Sequence, residues 1–188
     1  SFEPLLGTDA FGKAFVPRTA EQIEAGIKYQ PKGTEHLLTA AVFEITEQNR
    51  TTSLAAGQLN DPALINPNGQ IQSGEATAKG VELEAQLAWR DLDIYASYAF
   101  IDAYVSRSNR IGEQGATLAA QPEQLASIWA TWRPAALDGW QFGAGVRYVG
   151  ETSDGTAFVQ QNGVVLNQPL TTASYTLFDA MLGYKFGR

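Results

Sequence analysis

The amino-acid sequence predicts an all-β fold, namely a segment of an antiparallel transmembrane β-barrel. Three observations carry this prediction: apolar and polar residues alternate within short segments, short and long connections alternate between those segments, and aromatic residues flank the short connections. Residues i and i+2 of a strand lie on the same side, so an alternating segment has one apolar and one polar face. Strands that cross an outer membrane present such faces to lipid and to the lumen.

The clearest alternation occupies two adjoining segments, 81–89 and 92–100, in which every second residue is apolar. The pair Arg90 and Asp91 between them predicts a tight hairpin. The same period predicts about seven strands in the chain. Their apolar faces are, in chain order, Ile23, Ala25, Ile27 and Tyr29; Leu37, Thr39, Ala41, Phe43 and Ile45; Val81, Leu83, Ala85, Leu87 and Trp89; Leu92, Ile94, Ala96, Tyr98 and Phe100; Ala126, Ile128, Ala130 and Trp132; Trp140, Phe142, Ala144, Val146 and Tyr148; and Phe178, Ala180, Leu182, Tyr184 and Phe186.

The connections between these strands alternate between short and long. Short connections are predicted at 31–35, 90–91 and 133–139, and long ones at 47–76, 104–122 and 151–172. Outer-membrane barrels have short periplasmic turns and longer extracellular loops, whereas a soluble β-sandwich has no reason for this regularity. The alternation therefore favours a membrane barrel. It also predicts that the segment 60–69 is extracellular and mobile.

Aromatic residues flank the short connections. They are Tyr29, Trp89, Trp132, Trp140, Tyr184 and Phe186. Barrels place a girdle of such residues at each membrane interface. The alternative is that they are ordinary core aromatics near the strand ends of a soluble protein, but the alternating connection lengths favour the girdle.

Composition excludes several classes of protein. The chain of 188 residues contains no cysteine, so disulfide frameworks and thiolate metal sites are excluded. Its formal net charge is -7 and its 13 lysines and arginines are scattered, so the basic stripe that nucleic-acid binding needs is lacking and no nucleic acid is expected as a partner. No apolar run reaches the ~18 residues that a membrane-spanning helix requires. The chain begins at Ser1 without a leader peptide, which suggests an excised piece.

The opposite faces of the strands are polar and are predicted to line a wet lumen. They carry Glu24, Lys28, Glu82, Glu84, Gln86, Asp93, Gln141, Arg147, Asp179 and Lys185. About seven strands cannot close a barrel, because bacterial single-chain barrels have even strand numbers and an open edge in lipid leaves backbone groups unpaired. We therefore expect the chain to belong to a larger barrel.

Several segments resemble the C-terminal barrel of TonB-dependent siderophore receptors, especially those of the ferrichrome and hydroxamate type. The segments are SFEP at 1–4, FVP at 15–17, QIEAGIKY at 22–29, KGVELEA at 79–85 and YTLFDA at 175–180. The resemblance implies a 22-stranded barrel that is occluded by an N-terminal plug. Residues 1–188 would then be part of the C-terminal β-barrel domain, with the plug domain, the TonB box and the final strands absent.

The resemblance also implies a function. The full-length protein would be a receptor and transporter for ferric siderophores in the outer membrane of a Gram-negative bacterium, energised through TonB. Its partners would be the ferric siderophore, its own plug domain, TonB through the missing N-terminal part, and the lipid bilayer. No cofactor is expected, because iron arrives already chelated by the siderophore. The alternative is a passive porin-like or adhesin barrel.

Candidate site residues follow from this reading. Contacts to the ligand are expected from Tyr104, Trp129 and Phe158, with Arg147 as a cation in the lumen and 151–172 as part of an outer gate. Contacts to the lumen or the plug are expected from Glu82, Glu84, Gln86, Asp93 and Asp179.

Three features could suggest other chemistry, and each has a simpler interpretation. Glu82 and Glu84 share a strand face, but a glycosidase needs two carboxyl groups across a shaped cleft. His36 lacks a histidine or cysteine partner, and we expect a solvated turn residue. Gly143 and Gly145 alternate within a strand and are expected to leave lumen space for the plug. We therefore predict that the protein is not an enzyme.

Overall fold

The computed structural model describes residues 7–110, 112–161 and 164–186, without the side chains of 56 and 154–169. These ranges contain nine strands and one short 3-10 helix, Ala56–Asn60. The strands are β1 (Thr19–Tyr29), β2 (Leu37–Ser53), β3 (Gln70–Trp89), β4 (Leu92–Arg107), β5 (Gln124–Trp132), β6 (Trp140–Val149), β7 (Thr152–Gln161), β8 (Val164–Thr172) and β9 (Tyr175–Tyr184). Among these residues, no helix is long and apolar enough to cross a membrane.

The strands form two sheets in the described part of the chain. The main sheet has the order β1-β2-β3-β4-β5-β6-β9, and β7 pairs with β8 in a separate hairpin. Every neighbouring pair is antiparallel. The main sheet thus contains the predicted strands in the predicted order, and the all-β antiparallel fold is confirmed. The structure adds the hairpin, because 152–172 was expected to be a loop.

One face of the main sheet is apolar, and the register identifies it. Directly opposed residues of an antiparallel pair share a face, and Val42 lies opposite both Ala25 and Val81. The large side chains of this apolar face are Ile23, Ile27, Tyr29, Leu38, Val42, Val81, Leu83, Trp89, Phe100, Ile128, Trp132, Phe178 and Leu182. Many are open to the surroundings, with Ile23 79% and Phe178 83% exposed. A continuous exposed apolar face of this kind suits lipid rather than water.

The apolar face predicted for β2 is wrong. Ala41 lies opposite Glu82 and Thr39 opposite Glu84, so Leu37, Thr39, Ala41, Phe43 and Ile45 belong to the polar face. The apolar face of β2 instead carries Leu38, Ala40 and Val42. Both faces of β2 hold apolar residues, which makes its period-two pattern ambiguous. Pairing with the neighbouring strands fixes the register and resolves it.

The lengths of the strands indicate which of them only cross the membrane and which continue beyond it. β5, β6 and β9 have 9, 10 and 10 residues, which matches the ~9–11 that a crossing strand needs. β2, β3 and β4 have 17, 20 and 16 residues and therefore continue beyond it. In the loop predicted at 47–76, residues 47–53 and 70–76 are therefore strand. In the loop predicted at 104–122, residues 104–107 are strand. Several residues in the outer parts of these strands are buried, namely Thr52, Ile71, Ala76, Ala103 and Val105.

The outer border of the apolar band is visible on β3. From Trp89 to Val81 the strand measures about 27 Å, which at a ~40° tilt spans about 21 Å of a ~25 Å apolar band. The next position on the same face is Lys79, which lies opposite Glu44 and Asp102. The Nζ of Lys79 is 3.5 Å from Oε2 of Glu44. Charged groups thus replace apolar ones where the band should end.

The segment 60–69, which was expected to be extracellular and mobile, forms backbone hydrogen bonds with Ala10. The carbonyl of Ala10 accepts the N–H groups of Ile65 and Asn66, both at 3.0 Å, and the N–H of Ala10 donates to the carbonyl of Gln70 at 2.9 Å. Ala10 is completely buried. The N-terminal residues therefore fasten this segment to the outer end of β3.

Candidate functional site

A row of polar side chains crosses the polar face of the main sheet. Its members lie directly opposite one another on successive strands, and we call them the polar row: Lys28, Thr39, Glu84, Ser97, Ser127 and Arg147. The hydroxyl oxygens of Ser97 and Ser127 are 2.8 Å apart and share a hydrogen bond. The row thus presents cations toward its ends, a carboxylate between them, and hydroxyl groups that can donate or accept.

Glu82 and Glu84 lie on this polar face, two positions apart on β3, and both are exposed. Glu82 is flanked by Ala41 and Ala99, and Glu84 by Thr39. Neither carboxylate forms an ion pair within the described residues. Both can therefore accept hydrogen bonds from a molecule or domain that lies against the polar face of the main sheet. Gln86 continues the same face toward the short-turn end.

Arg147 and Asp179 are brought together on the polar face. The guanidinium Nε of Arg147 donates to Oδ2 of Asp179 at 3.1 Å, and both side chains are substantially exposed. Such an exposed pair contributes only ~0–1 kcal/mol to stability. The contact uses one of the five N–H donors of the guanidinium, so the others remain able to bind carbonyl or carboxylate oxygens.

Trp129 lies flat on the polar face over Gly143 and Gly145. A Cβ added at Gly143 would be 2.5 Å from the indole ring, and Gly145 is equally crowded by that ring. The indole N–H donates to the hydroxyl of Thr131 at 2.9 Å. The expectation that these glycines leave space for a plug is wrong in this respect, because the indole fills that space. Trp129 is also close to Trp132 at the short-turn end, not on the upper wall.

The other aromatic candidates lie elsewhere. Tyr104 is opposite Thr77 and shares the apolar face with Phe100, so its ring does not line the polar face. Phe158 belongs to β7, where its backbone pairs with Asn167, but its side chain lies outside the described part of the structure. Tyr104 and Arg147 therefore lie on opposite faces of the main sheet.

The short-turn end of the sheet holds Asp93 and His36 in defined contacts. Asp93 lies on the polar face and forms an ion pair with Arg133. His36 is half-buried. Its Nδ1 accepts a hydrogen bond from the backbone N–H of Ala88 at 3.1 Å, and its ring centre is 5.0 Å from that of Trp89. The expectation of a solvated turn histidine is wrong, because the half-buried ring contacts Ala88 and Trp89 at the end of β3.

Sequence reasoning missed Phe43, which belongs to the polar face. A Cβ added at Gly80 would clash with the ring of Phe43, with Cε1 at 2.6 Å and Cζ closer still, so the missing side chain makes room for the aromatic. A glycine inside an otherwise alternating strand is a recognisable signal of such a close approach. The partner could not be named without the register.

A comparison with known families identifies the kind of protein to which the main sheet and its polar face belong. All of residues 1–188 match the family described as TonB dependent receptor-like, beta-barrel. The chain belongs to this family. The resemblance inferred from the short segments is thereby confirmed, and so is the assignment to the outer membrane of Gram-negative bacteria.

Curated relatives agree with the family. The chain is 29% identical over 194 residues to the ferrichrome outer membrane transporter/phage receptor of Escherichia coli (strain K12), with 100% of the chain and 23% of that protein covered. It is 34% identical to the ferrioxamine B receptor of Salmonella typhimurium (strain SL1344), with 98% and 24% covered. These relatives are transporters and receptors rather than enzymes. The chain spans about a quarter of their length.

Solved structures show the same fold. The P. aeruginosa receptor FpvA, in a complex with iron and a heterologous pyoverdine, aligns with a TM-score of 0.74 at 22% identity, covering 99% of this chain and 24% of that one. The ferric-catecholate import receptor Fiu from E. coli K12 aligns with a TM-score of 0.69 at 24% identity, covering 96% and 23%. At such identities the likeness shows the architecture alone.

Proposed function

We propose that these residues form part of the barrel wall of an outer-membrane receptor that takes up ferric siderophores and is energised through TonB. The observation that carries the proposal is the family match over the whole chain. The names of two relatives, a ferrichrome transporter and a ferrioxamine B receptor, support hydroxamate chelates as the substrate class. Iron would arrive chelated, so no protein ligand to the metal is required.

The polar face is the surface that a plug domain would meet. Glu82, Glu84 and Gln86 are exposed and have acceptor groups available, and a plug with lysine, arginine or backbone N–H groups on its surface would complement them. Asp93 and Asp179 form ion pairs with Arg133 and Arg147 and would keep those cations at the polar face. We propose these five residues as the plug-facing part of the fragment.

Arg147 is our candidate for a ligand contact in the lumen. Its remaining N–H donors suit the carbonyl and hydroxamate oxygens of a ferric chelate. Phe158 on the outer hairpin is the aromatic candidate, since a loop of this length above the wall can cover a ligand. Tyr104, on the apolar face, and Trp129, near the short-turn end, are left out of this proposed site.

The test is uptake of radiolabelled ferrichrome and ferrioxamine B by cells that produce the full-length receptor, with and without TonB. We expect accumulation only when TonB is present. Entry that is equal in both strains and unsaturated would support a passive porin-like barrel. Failure to bind any ferric chelate would refute the receptor function.

Single substitutions test the proposed contacts. Arg147→Gln should weaken chelate binding about tenfold (~1.4 kcal/mol), because charge-assisted hydrogen bonds are lost. Arg18→Gln removes an exposed arginine that is paired with Glu47, three residues beyond Glu44 at the outer border of the apolar band, and serves as the control. Phe158→Ala should cost roughly 1–3 kcal/mol of binding if the ring is a buried anchor. Unchanged binding in either variant removes that residue from the site.

A further inference from the structure

A recess of about 760 Å³ opens at the short-turn end of the main sheet, between the turn before β2 and the turn after β3. Its volume falls within the ~300–1,000 Å³ typical of sites for small ligands. Aromatic and charged side chains line it together: Glu35, His36, Trp89, Arg90, Asp91 and Trp132. Of the described residues, the recess shares Asp93 with the proposed plug-facing surface and shares none with the proposed chelate site.

The recess borders the bilayer at the level of the lipid headgroups. Trp89 lies opposite Leu92, and Leu92 lies opposite Trp132, so these walls belong to the apolar face. Both tryptophans are 47% exposed. Tryptophan at this position in a barrel marks the interface between the acyl chains and water. A molecule in the recess would therefore have one part in water and one part in hydrocarbon.

Two of the residues that line this recess, His36 and Arg90, carry groups that can donate to an anion. The Nδ1 of His36 accepts the N–H of Ala88, so the neutral ring carries its proton on Nε2, which is then a donor. Contact with Trp89 fixes the ring plane. Arg90 is exposed and forms no hydrogen bond or ion pair within the described ranges. A guanidinium and an imidazole N–H are suitable partners for a phosphate.

Acceptors for a cationic group stand beside these donors. Glu35 and Asp91 also line the recess, and their carboxylates have no ion-pair partner among the residues described. Asp93, also in the lining, is already paired with Arg133. The recess therefore combines an unpaired cation with two unpaired anions. This balance disfavours a purely anionic ligand and suits a zwitterion.

We propose that the recess binds the headgroup of a phosphoethanolamine lipid from the periplasmic leaflet. Arg90 and the Nε2–H of His36 hold the phosphate, and Glu35 with Asp91 accept hydrogen bonds from the ammonium group. The glycerol and the first methylenes lie against the tryptophans. A choline headgroup cannot donate these hydrogen bonds, and a glycerol headgroup has no cation for the carboxylates.

The experiment counts the lipids that the full-length receptor retains. The receptor is purified in detergent, supplied with equal amounts of phosphatidylethanolamine, phosphatidylglycerol and phosphatidylcholine, and measured by native mass spectrometry. We expect one phosphatidylethanolamine to be retained about tenfold more strongly (~1.4 kcal/mol) than either other lipid. Equal retention of the three lipids would overturn the proposal.

Variants separate the recess from general lipid binding. Arg90→Gln and Glu35→Gln should each abolish most of the preference, and His36→Asn, which keeps an acceptor near Nδ1 but removes the Nε2 donor, should reduce it. Lys32→Gln changes a charge on the same turn outside the lining and should have no effect. Heat-modifiability on gels shows that each variant is folded. An equal loss in Lys32→Gln, or no loss in Arg90→Gln, would refute the site.

A soluble competitor distinguishes a lipid from a free zwitterion. Glycerophosphoethanolamine has the same headgroup without acyl chains and should compete at least tenfold more weakly than the lipid. Equal competition would overturn the lipid assignment. The measurement is independent of transport, because lipid retention can fail while chelate uptake persists, and the reverse.

Discussion

Replacing Leu83 by arginine should destabilise the barrel far more than replacing its neighbour Glu82 by arginine. Leu83 lies on the apolar face, opposite Ala40 and Tyr98. Its distance from Trp89 is about 20 Å along the strand, or about 16 Å across the membrane at a ~40° tilt, which is the central part of the ~25 Å apolar band.

The expected magnitudes follow from this position. An arginine at the midplane of the lipid face costs ~2–4 kcal/mol, whereas Glu82→Arg stays on the polar face and should cost under ~1 kcal/mol. The assay is a reversible folding titration of the full-length receptor into lipid vesicles in denaturant. Equal penalties for the two variants would refute the assignment of faces, as would a larger penalty for Glu82→Arg.

Two further predictions concern packing and topology. Gly143→Ala should displace the indole of Trp129 and lower the folding stability by ~1–3 kcal/mol, because the added methyl group overpacks the site. The displaced indole should show a red shift in tryptophan emission. Gly57→Ala is the control and should leave the emission unchanged, because nothing lies within 4 Å of the added Cβ. A cysteine at Asn68 should react with an impermeant reagent on whole cells, and a cysteine at Asp91 only after permeabilisation; the opposite pattern would invert the topology.

The strands of the main sheet could be predicted because each needs a continuous apolar face against lipid. That requirement produces the period-two pattern in β3, where Val81, Leu83 and Trp89 alternate with glutamates and other polar residues. The pattern failed for β2, in which Val42 and Phe43 are adjacent and either could face lipid. Phe43 lies on the polar face, and Gly80 opposite it provides the space that its ring occupies.

The parts outside the membrane could not be predicted in the same way. The segments 47–53 and 70–76 contain a single large apolar residue, Ile71, so no apolar period remains to signal a strand. The tether between Ala10 and 60–69 consists of backbone hydrogen bonds, which leave no trace in residue type.

The sequence could predict which candidate site residues share a strand face, but not which of them are in contact. The shared side of Glu82 and Glu84 follows from their spacing, and the same rule places Tyr104, an even number of residues from Phe100, on the apolar side. The pairing of Arg147 with Asp179 required the register between β6 and β9. The crowding of Gly143 by Trp129 required side-chain positions as well.

The most direct test of the central claim, that the apolar face meets lipid and the polar face meets the lumen, compares two adjacent residues of β2. Spin labels are placed singly at Val42 and Phe43 in the full-length receptor in vesicles, and their collisions with oxygen and with a water-soluble nickel chelate are measured by electron paramagnetic resonance. The label at Val42 should be accessible to oxygen and shielded from nickel, and the label at Phe43 should not show this lipid signature. The reverse assignment, or the same accessibility at both positions, would contradict the account.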